Sequence, residues 1–267
     1  MIRILNKICE SKIDKYPFYH MYIENIFPDE MYDDLEKKSK MLNNSQYATT
    51  REQDNKNFVN KRVSLINIEN NLKNIFENKE IKLALLKKFY INPEKFIDKI
   101  SIHDDEFEFV YTEANMFQNI HTDIPAKFLS MVFYIPYERI SAQEELNNGT
   151  ILYDSELNPI KKVRYVKNSL CIFAPNFNSY HGFDTTIPRA SLIMFYVDKE
   201  LLKTHENNIK NIRKLKNYEK FEIQIFKRNI YNKLTFANLI EYSADKNIDD
   251  EYTNCKINSP LGRIIKF

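Results

Sequence analysis

The chain has 267 residues, 43% of them hydrophobic and 28% charged, with a formal net charge of +2, so it offers no electrostatic footprint for nucleic acid or an anionic membrane surface. No apolar run reaches the length of a membrane span, and the charged N-terminus MIRILNKICESK lacks the apolar centre of a signal peptide. Cys9, Cys171 and Cys255 are too few and too scattered for a disulfide framework or a CxxC zinc site, which points to a reducing, cytoplasmic setting.

Taken in order, residues 16 to 40 read as an apolar strand followed by a turn at Phe27-Pro28-Asp29 and a helix. Pro28 suits a first helical position, Asp29 and Glu30 suit the positive end of the helix dipole, and Met31, Tyr32 and Leu35 supply one apolar face. Residues 42 to 60 are polar and read as an exposed loop or lid. Between 66 and 98 the spacing of Ile66, Leu72, Phe76, Ile81, Leu85 and Phe89 predicts two packed helices.

The period changes near Lys99. Ile100 to Phe117 alternates like a strand, and Phe128–Ile135, Thr150–Tyr153, Arg164–Val166, Leu170–Ala174 and Ser191–Val197 follow as short strands between turn-like clusters. Many short strands of this kind predict an antiparallel sandwich or barrel of jelly-roll type. After Asp198 the sequence turns charged and helical. With no repeat and no linker, the chain reads as one domain over 1–267. An N-terminal strand and helices (1–98) and a C-terminal helical extension (201–267) wrap a β core (99–200), and the C-terminal helices could pair two subunits. The 19 Phe and 17 Tyr give that core ample aromatic bulk.

Within the β core, residues i and i+2 of an extended segment share a side, so His121 and Asp123 can offer a nitrogen and an oxygen to one ion, with His181 from a distant strand as third ligand. Two imidazoles and one carboxylate on one face leave open positions, as suits non-haem Fe(II). Gly182, Asp184 and Pro188 predict a turn. If a hairpin were symmetric about Thr185, His181 would sit opposite Arg189, about 5 Å apart at Cβ, with Ser191 on the same face and Ile193 and Phe195 continuing the wall. A guanidinium fork beside the ion fits a carboxylate ligand. The hydroxyls of Tyr134 and Tyr111 are further candidates for this pocket, and Asn115 and Lys127 rank below them. A second His-x-Asp, His103-x-Asp105, stands in a run of charges and reads as solvated. His20 and His205 read as structural or exposed.

The order HTD, a distal His, then R-x-S on a later strand resembles the Fe(II)/2-oxoglutarate-dependent dioxygenases. Residues 17 to 40 look like the entry strand and helix of the bacterial prolyl-hydroxylase-like members. The resemblance implies a double-stranded β-helix core and iron on His121, Asp123 and His181. It also implies that Arg189, with Ser191, holds the distal carboxylate of 2-oxoglutarate, and that O2-dependent hydroxylation of a small-molecule, amino-acid, peptide or sugar-type substrate releases succinate and CO2. The other readings are a cupin-like metal-binding or sugar-modifying protein without 2-oxoglutarate turnover, and a non-catalytic scaffold.

Overall fold

The computed structural model describes residues 1–43, 48–52, 59–66, 69–124, 126–176 and 178–203. The expected C-terminal helical extension, its proposed role in pairing subunits, His205 and Cys255 lie outside these residues.

Helix α1 (Ile2–Glu10) precedes the short strand β1 (Ile13–Asp14), β2 (His20–Glu24) and α2 (Asp29–Asn43). Strands β3 (Thr49–Glu52) and β4 (Val59–Ser64), helices α3 (Asn70–Glu77) and α4 (Lys79–Phe89), and β5 (Ile100–Ile102) come next. The remaining described strands are β6 (Glu108–Thr112), β7 (Phe117–His121), β8 (Lys127–Tyr134), β9 (Thr150–Tyr153), β10 (Pro159–Val163), β11 (Ser169–Phe173), β12 (His181–Asp184) and β13 (Arg189–Asp198), with helix α5 (Ala142–Asn147) between β8 and β9. The strands form two antiparallel sheets. The larger runs β1-β2-β11-β8-β13-β6-β4-β3, with β5 also on β13, and the smaller runs β10-β9-β12-β7. The protein is thus mainly antiparallel β structure in a sandwich, with helices packed against it.

Strand β13 shows why. Arg189, Ser191, Ile193 and Phe195 face the space between the sheets. Ala190, Leu192, Met194 and Tyr196 face the other way, into a core shared with Ile4, Ile8, Leu35, Phe76 and Leu85 of the helices. Both faces are covered, so the strand is apolar almost throughout. The helices carry the complementary stripes. Ile4 and Ile8 of α1 are fully buried one turn apart, as are Tyr32 and Leu35 of α2. A smaller cluster of Phe18, Tyr134, Leu152, Val163, Tyr165, Cys171 and Phe173 fills the sandwich itself. Burial pushes the Cys171 thiol up to about 12, so it is an inert core side chain.

Four expectations need correction. The stretch 42–60 contains β3 and the start of β4. β3 is the edge strand and β4 lies between it and β6, and their sequences, rich in Thr, Arg, Asn and Lys, hide a hydrogen-bonding role, while residues 44–47 and 53–58 of the supposed lid lie outside the described set. The alternation over 100–117 breaks into β5, a 3-10 turn at Asp104–Glu106, β6 and the first residue of β7. Asn115, at φ 61°, makes the turn that carries the chain from the larger sheet to the smaller. The strand placed at Arg164–Val166 is Pro159–Val163, an edge strand whose exposed charges mask its pattern. Pro28 stands just before α2, its carbonyl accepting from Tyr32 N at 3.0 Å, rather than inside the first turn.

Gly149 has a specific structural need. A Cβ there would lie 1.6 Å from the Val163 carbonyl oxygen, where β10 crosses the entry to β9. Gly149→Ala should therefore force these backbones apart and destabilise the fold by about 1–3 kcal/mol, the usual scale of overpacking, measured by denaturant unfolding.

His20 predicts a pH dependence. It is fully buried in β2 with Nδ1 2.8 Å from the Phe18 carbonyl oxygen, and burial holds its pKa below the ordinary 6.5. The unfolded chain therefore takes up a proton first as pH falls. Stability should be complete above pH 6.5 and decline below it, by at most about 1.4 kcal/mol per pH unit for this one proton. His20→Gln should flatten the slope of unfolding free energy against pH in that window. His181, also lowered by burial, keeps part of it.

Candidate metal centre and anion pocket

A cavity of about 600 Å³ opens between the two sheets, lined from the larger by residues of β4, β6, β8, β11 and β13 and from the smaller by β7, β9 and β12. His121, Asp123 and His181 stand in its wall, and their ligand atoms all lie within 4.8 Å of one another. Among the described residues this is the cluster of His, Cys, Asp and Glu able to hold an ion.

The backbone brings the two imidazoles together directly. His181 opens β12 and pairs with His121, the last residue of β7, so their ring centroids are 4.3 Å apart. The register then slips, with Phe183 opposite Gln118, so one extra residue bulges out of β7 beside the site. His181 Nδ1 lies 2.9 Å from the Ser179 carbonyl oxygen. Ser179 is held in turn by Asn176, whose N–H donates to Ser179 Oγ at 2.9 Å. A proton on Nδ1 satisfies that bond and leaves Nε2 as a lone-pair donor facing Asp123 Oδ2 at 3.9 Å. Burial lowers the His181 pKa and so favours this neutral form.

Asp123 follows the end of β7. Burial alone would raise its pKa, but Lys127 first, then His181, His121 and the Ser130 hydroxyl, outweigh this, and the carboxyl stays ionised well below the usual range. Lys127 donates to Oδ1 at 3.1 Å and Ser130 Oγ to Oδ2 at 2.5 Å.

Arg189 begins β13 and is 3% exposed. Its Nε donates to the Asn148 carbonyl at 3.1 Å, and Nη1 points to Ser191 Oγ at 3.4 Å. Its guanidinium carbon lies 4.0 Å from the Phe183 ring centroid and 5.3 Å from that of Tyr134. Asn148 is itself fully buried and spans to the β12–β13 turn, accepting from Thr186 N at 2.7 Å and Ile187 N at 3.1 Å. Tyr165 Oη accepts from Ala190 N at 2.8 Å. The guanidinium is thus fixed from several sides. Among the described residues no carboxylate lies within ion-pair distance of it.

The juxtaposition of His181 and Arg189 does not arise as expected. They are not partners in a hairpin: β12 pairs with β7 and β9 in the smaller sheet, while β13 pairs with β5, β6 and β8 in the larger. The turn at Asp184–Pro188 carries the chain across the sandwich, and the two side chains line one cavity from opposite walls. Ser191, Ile193 and Phe195 do continue the Arg189 face.

Tyr134 is fully buried behind that wall, its hydroxyl 2.6 Å from Thr150 Oγ1, so it supports Arg189 rather than lining the cavity. Tyr111 lies outside the cavity wall, stacked on Tyr137 with ring centroids 6.1 Å apart. The 137–149 segment supplies no lining residue either; its part is the Asn148 carbonyl under Arg189. His103 is 7% exposed rather than solvated, because its Nδ1 accepts from Asp105 N at 3.2 Å to cap the 3-10 turn. Sequence reasoning passed over Ser130 and ranked Lys127 low. A serine inside the apolar run FLSMVFY was the available signal for the first.

No family model matches the chain. Among curated proteins it is similar to a leucine--tRNA ligase of Mycoplasmoides gallisepticum, 26% identical over 153 residues, a match covering 52% of this chain but only 19% of that protein's length. The fold gives broader likenesses. A prolyl 4-hydroxylase from Phytophthora capsici aligns over 98% of this chain and 92% of its own, with TM-score 0.53 and 16% identity. A Pseudomonas putida prolyl-4-hydroxylase aligns over 73% of this chain and 97% of its own, with TM-score 0.51 and 10% identity. A Trichoplax adhaerens prolyl hydroxylase, solved with a hypoxia inducible factor peptide fragment, aligns over 74% and 89%, with TM-score 0.51 and 12% identity. The chain therefore has the fold of the prolyl hydroxylases. Set in that fold, His121, Asp123 and His181 form a two-histidine, one-carboxylate set that can hold iron.

Proposed function

We propose that the chain is an Fe(II)/2-oxoglutarate-dependent oxygenase that hydroxylates a C–H bond of a small molecule, amino acid, peptide or sugar-type substrate and releases succinate and CO2. The observation that carries this reading is Arg189, a buried guanidinium with no carboxylate partner among the described residues, in the same cavity as the triad. An unpaired buried charge is costly, and the second carboxylate of a dicarboxylate that chelates the metal would relieve that cost. The two sheets read as a double-stranded β-helix, with the site in its open mouth.

Bound Fe(II) with 2-oxoglutarate and O2 would supply the oxidising chemistry. The chain's own groups do the rest. His121, Asp123 and His181 hold the ion on one side. Arg189 and Ser191 fix the far carboxylate of the co-substrate and so its orientation. Val132, Ile193, Phe173 and Phe183 line the cavity with apolar surface that excludes water from the reacting centre. A cavity of about 600 Å³ falls within the roughly 300–1,000 Å³ of small-molecule sites and supports a small substrate beside the co-substrate. The near-balanced charge favours such a substrate over nucleic acid. No described helix is long and apolar enough to cross a membrane. The free thiols Cys9 and Cys171 support a reducing, cytoplasmic setting.

Anaerobic titration of the protein with Fe(II) and then 2-oxoglutarate tests the reading. It predicts a visible charge-transfer band that needs both components and, on admitting O2, succinate in the amount of co-substrate consumed. Iron binding with no response to 2-oxoglutarate would instead favour a metal-binding protein without oxygenase activity.

A further inference from the structure

A buried lysine stands beside the carboxylate of the triad. Lys127 is 5% exposed, and its ammonium reaches Asp123 Oδ1 at 3.1 Å and Glu106 Oε2 at 2.7 Å and lies 3.3 Å from the centroid of the Phe195 ring. Two carboxylates and an aromatic face compensate a charge that would otherwise be expensive to bury. The other oxygen, Oδ2, accepts from Ser130 at 2.5 Å and faces His181 Nε2 at 3.9 Å. The two oxygens of Asp123 therefore differ: Oδ1 is tied to a cation, and Oδ2 looks toward the imidazoles.

The fold makes a local departure to achieve this. Lys127 and Ser130 are three residues apart and would point to opposite faces of a regular strand. Here Tyr196 pairs with Leu129 but Val197 pairs with Lys127, so Phe128 is an extra residue in β8. The bulge sends Phe128 into the helix-packed core and turns both Lys127 and Ser130 into the cavity.

We propose that Lys127, braced by Glu106, is a positioning residue that keeps Asp123 Oδ1 off the metal, so that the carboxylate offers Oδ2 alone. The proposal rests on the oxygenase reading. A carboxylate free to swing could offer both oxygens to the ion and compete with a chelating co-substrate for the positions it needs. Loss of Lys127 should therefore leave metal affinity at or above that of wild type and weaken 2-oxoglutarate binding to the metal-loaded protein. A merely structural role would weaken both together.

The test compares wild type, Lys127→Met, Lys127→Arg and Glu106→Gln by anaerobic Fe(II) titration, then 2-oxoglutarate titration with the absorption band recorded, and circular dichroism as the check on folding. Lys127→Met should bind Fe(II) at least as tightly as wild type does. It should bind 2-oxoglutarate about 10- to 100-fold more weakly, the scale on which removing the partner of a metal ligand lowers affinity or activity, with a shifted band. Lys127→Arg should recover most of the loss, and Glu106→Gln should move in the same direction by less. Absence of the band in wild type sinks the oxygenase reading itself. A wild-type band with unchanged 2-oxoglutarate affinity in Lys127→Met overturns the positioning role alone, as does equal loss of metal and co-substrate. Should Lys127→Met not fold, Glu106→Gln decides, and wild-type affinity and band in that variant overturn the proposal.

Discussion

Arg189→Met should abolish most 2-oxoglutarate binding while leaving the ligand-free protein as stable as wild type. The two halves of this expectation have one cause. The guanidinium is buried at 3% exposure among Phe183, Tyr134 and Tyr165, and no carboxylate of a described residue pairs with it. Removing it from the ligand-free state deletes a buried charge that has no carboxylate partner among the described residues, and two hydrogen bonds, to the Asn148 carbonyl and, longer, to Ser191 Oγ. The first change is favourable and the second costs about 1–2 kcal/mol, so the unfolding free energy should stay within about 2 kcal/mol of wild type or rise above it. With 2-oxoglutarate bound, the same change deletes one member of a buried charge pair. That costs 2–5 kcal/mol, or roughly 30- to 4,000-fold in affinity. Thermal denaturation with and without the co-substrate reads both effects at once. A variant that melts far below wild type in the absence of ligand would mean that the guanidinium braces the fold, and the argument for a bound dicarboxylate would lose its footing.

The candidate site was legible in the sequence to the extent that it depends on residue type and order. His121, Asp123, His181, Arg189 and Ser191, which line one cavity, stand out in the sequence because two imidazoles, a carboxylate and a later R-x-S carry their chemistry in their identities. What failed was the route by which they meet. The hairpin about Thr185 relied on the turn residues between His181 and Arg189, and a turn sequence cannot say whether the next strand stays in its sheet or crosses to the facing one. Here it crosses. The same limit hid β3 and β4, which pair at a sheet edge with polar side chains and so lack the apolar alternation that marks a half-buried strand. Helix α1 went unread because its two core residues, Ile4 and Ile8, are a single i,i+4 pair in a short charged segment. Lys127 was undervalued for a subtler reason. A bulge shifts the parity of β8, and bulges leave no mark in a hydrophobic pattern until the register is known.

Asp123 should prove to be the residue whose loss damages the protein in two separable ways. Asp123→Ala removes the oxygen that faces His181 Nε2, and metal affinity should fall by more than the roughly 10- to 100-fold typical of a merely supporting group. It also takes from Lys127 one of its two carboxylates, leaving a buried ammonium with Glu106 alone. Breaking a buried pair in this way costs up to about 3–5 kcal/mol, and the remaining Glu106 contact should hold the loss toward the lower end. The two effects come apart in the triple variant Asp123→Ala, Lys127→Met, Glu106→Gln, which removes the cation together with both of its carboxylates and so strands no charge. Denaturant unfolding should then recover most of the lost stability, because an apolar side chain of similar length can pack against Phe195 in the same space. Metal binding should not recover at all, since His121 and His181 alone do not make the three-donor face. Recovery of both in the triple variant would mean that Asp123 serves only to neutralise Lys127, and the carboxylate would have to be struck from the metal set.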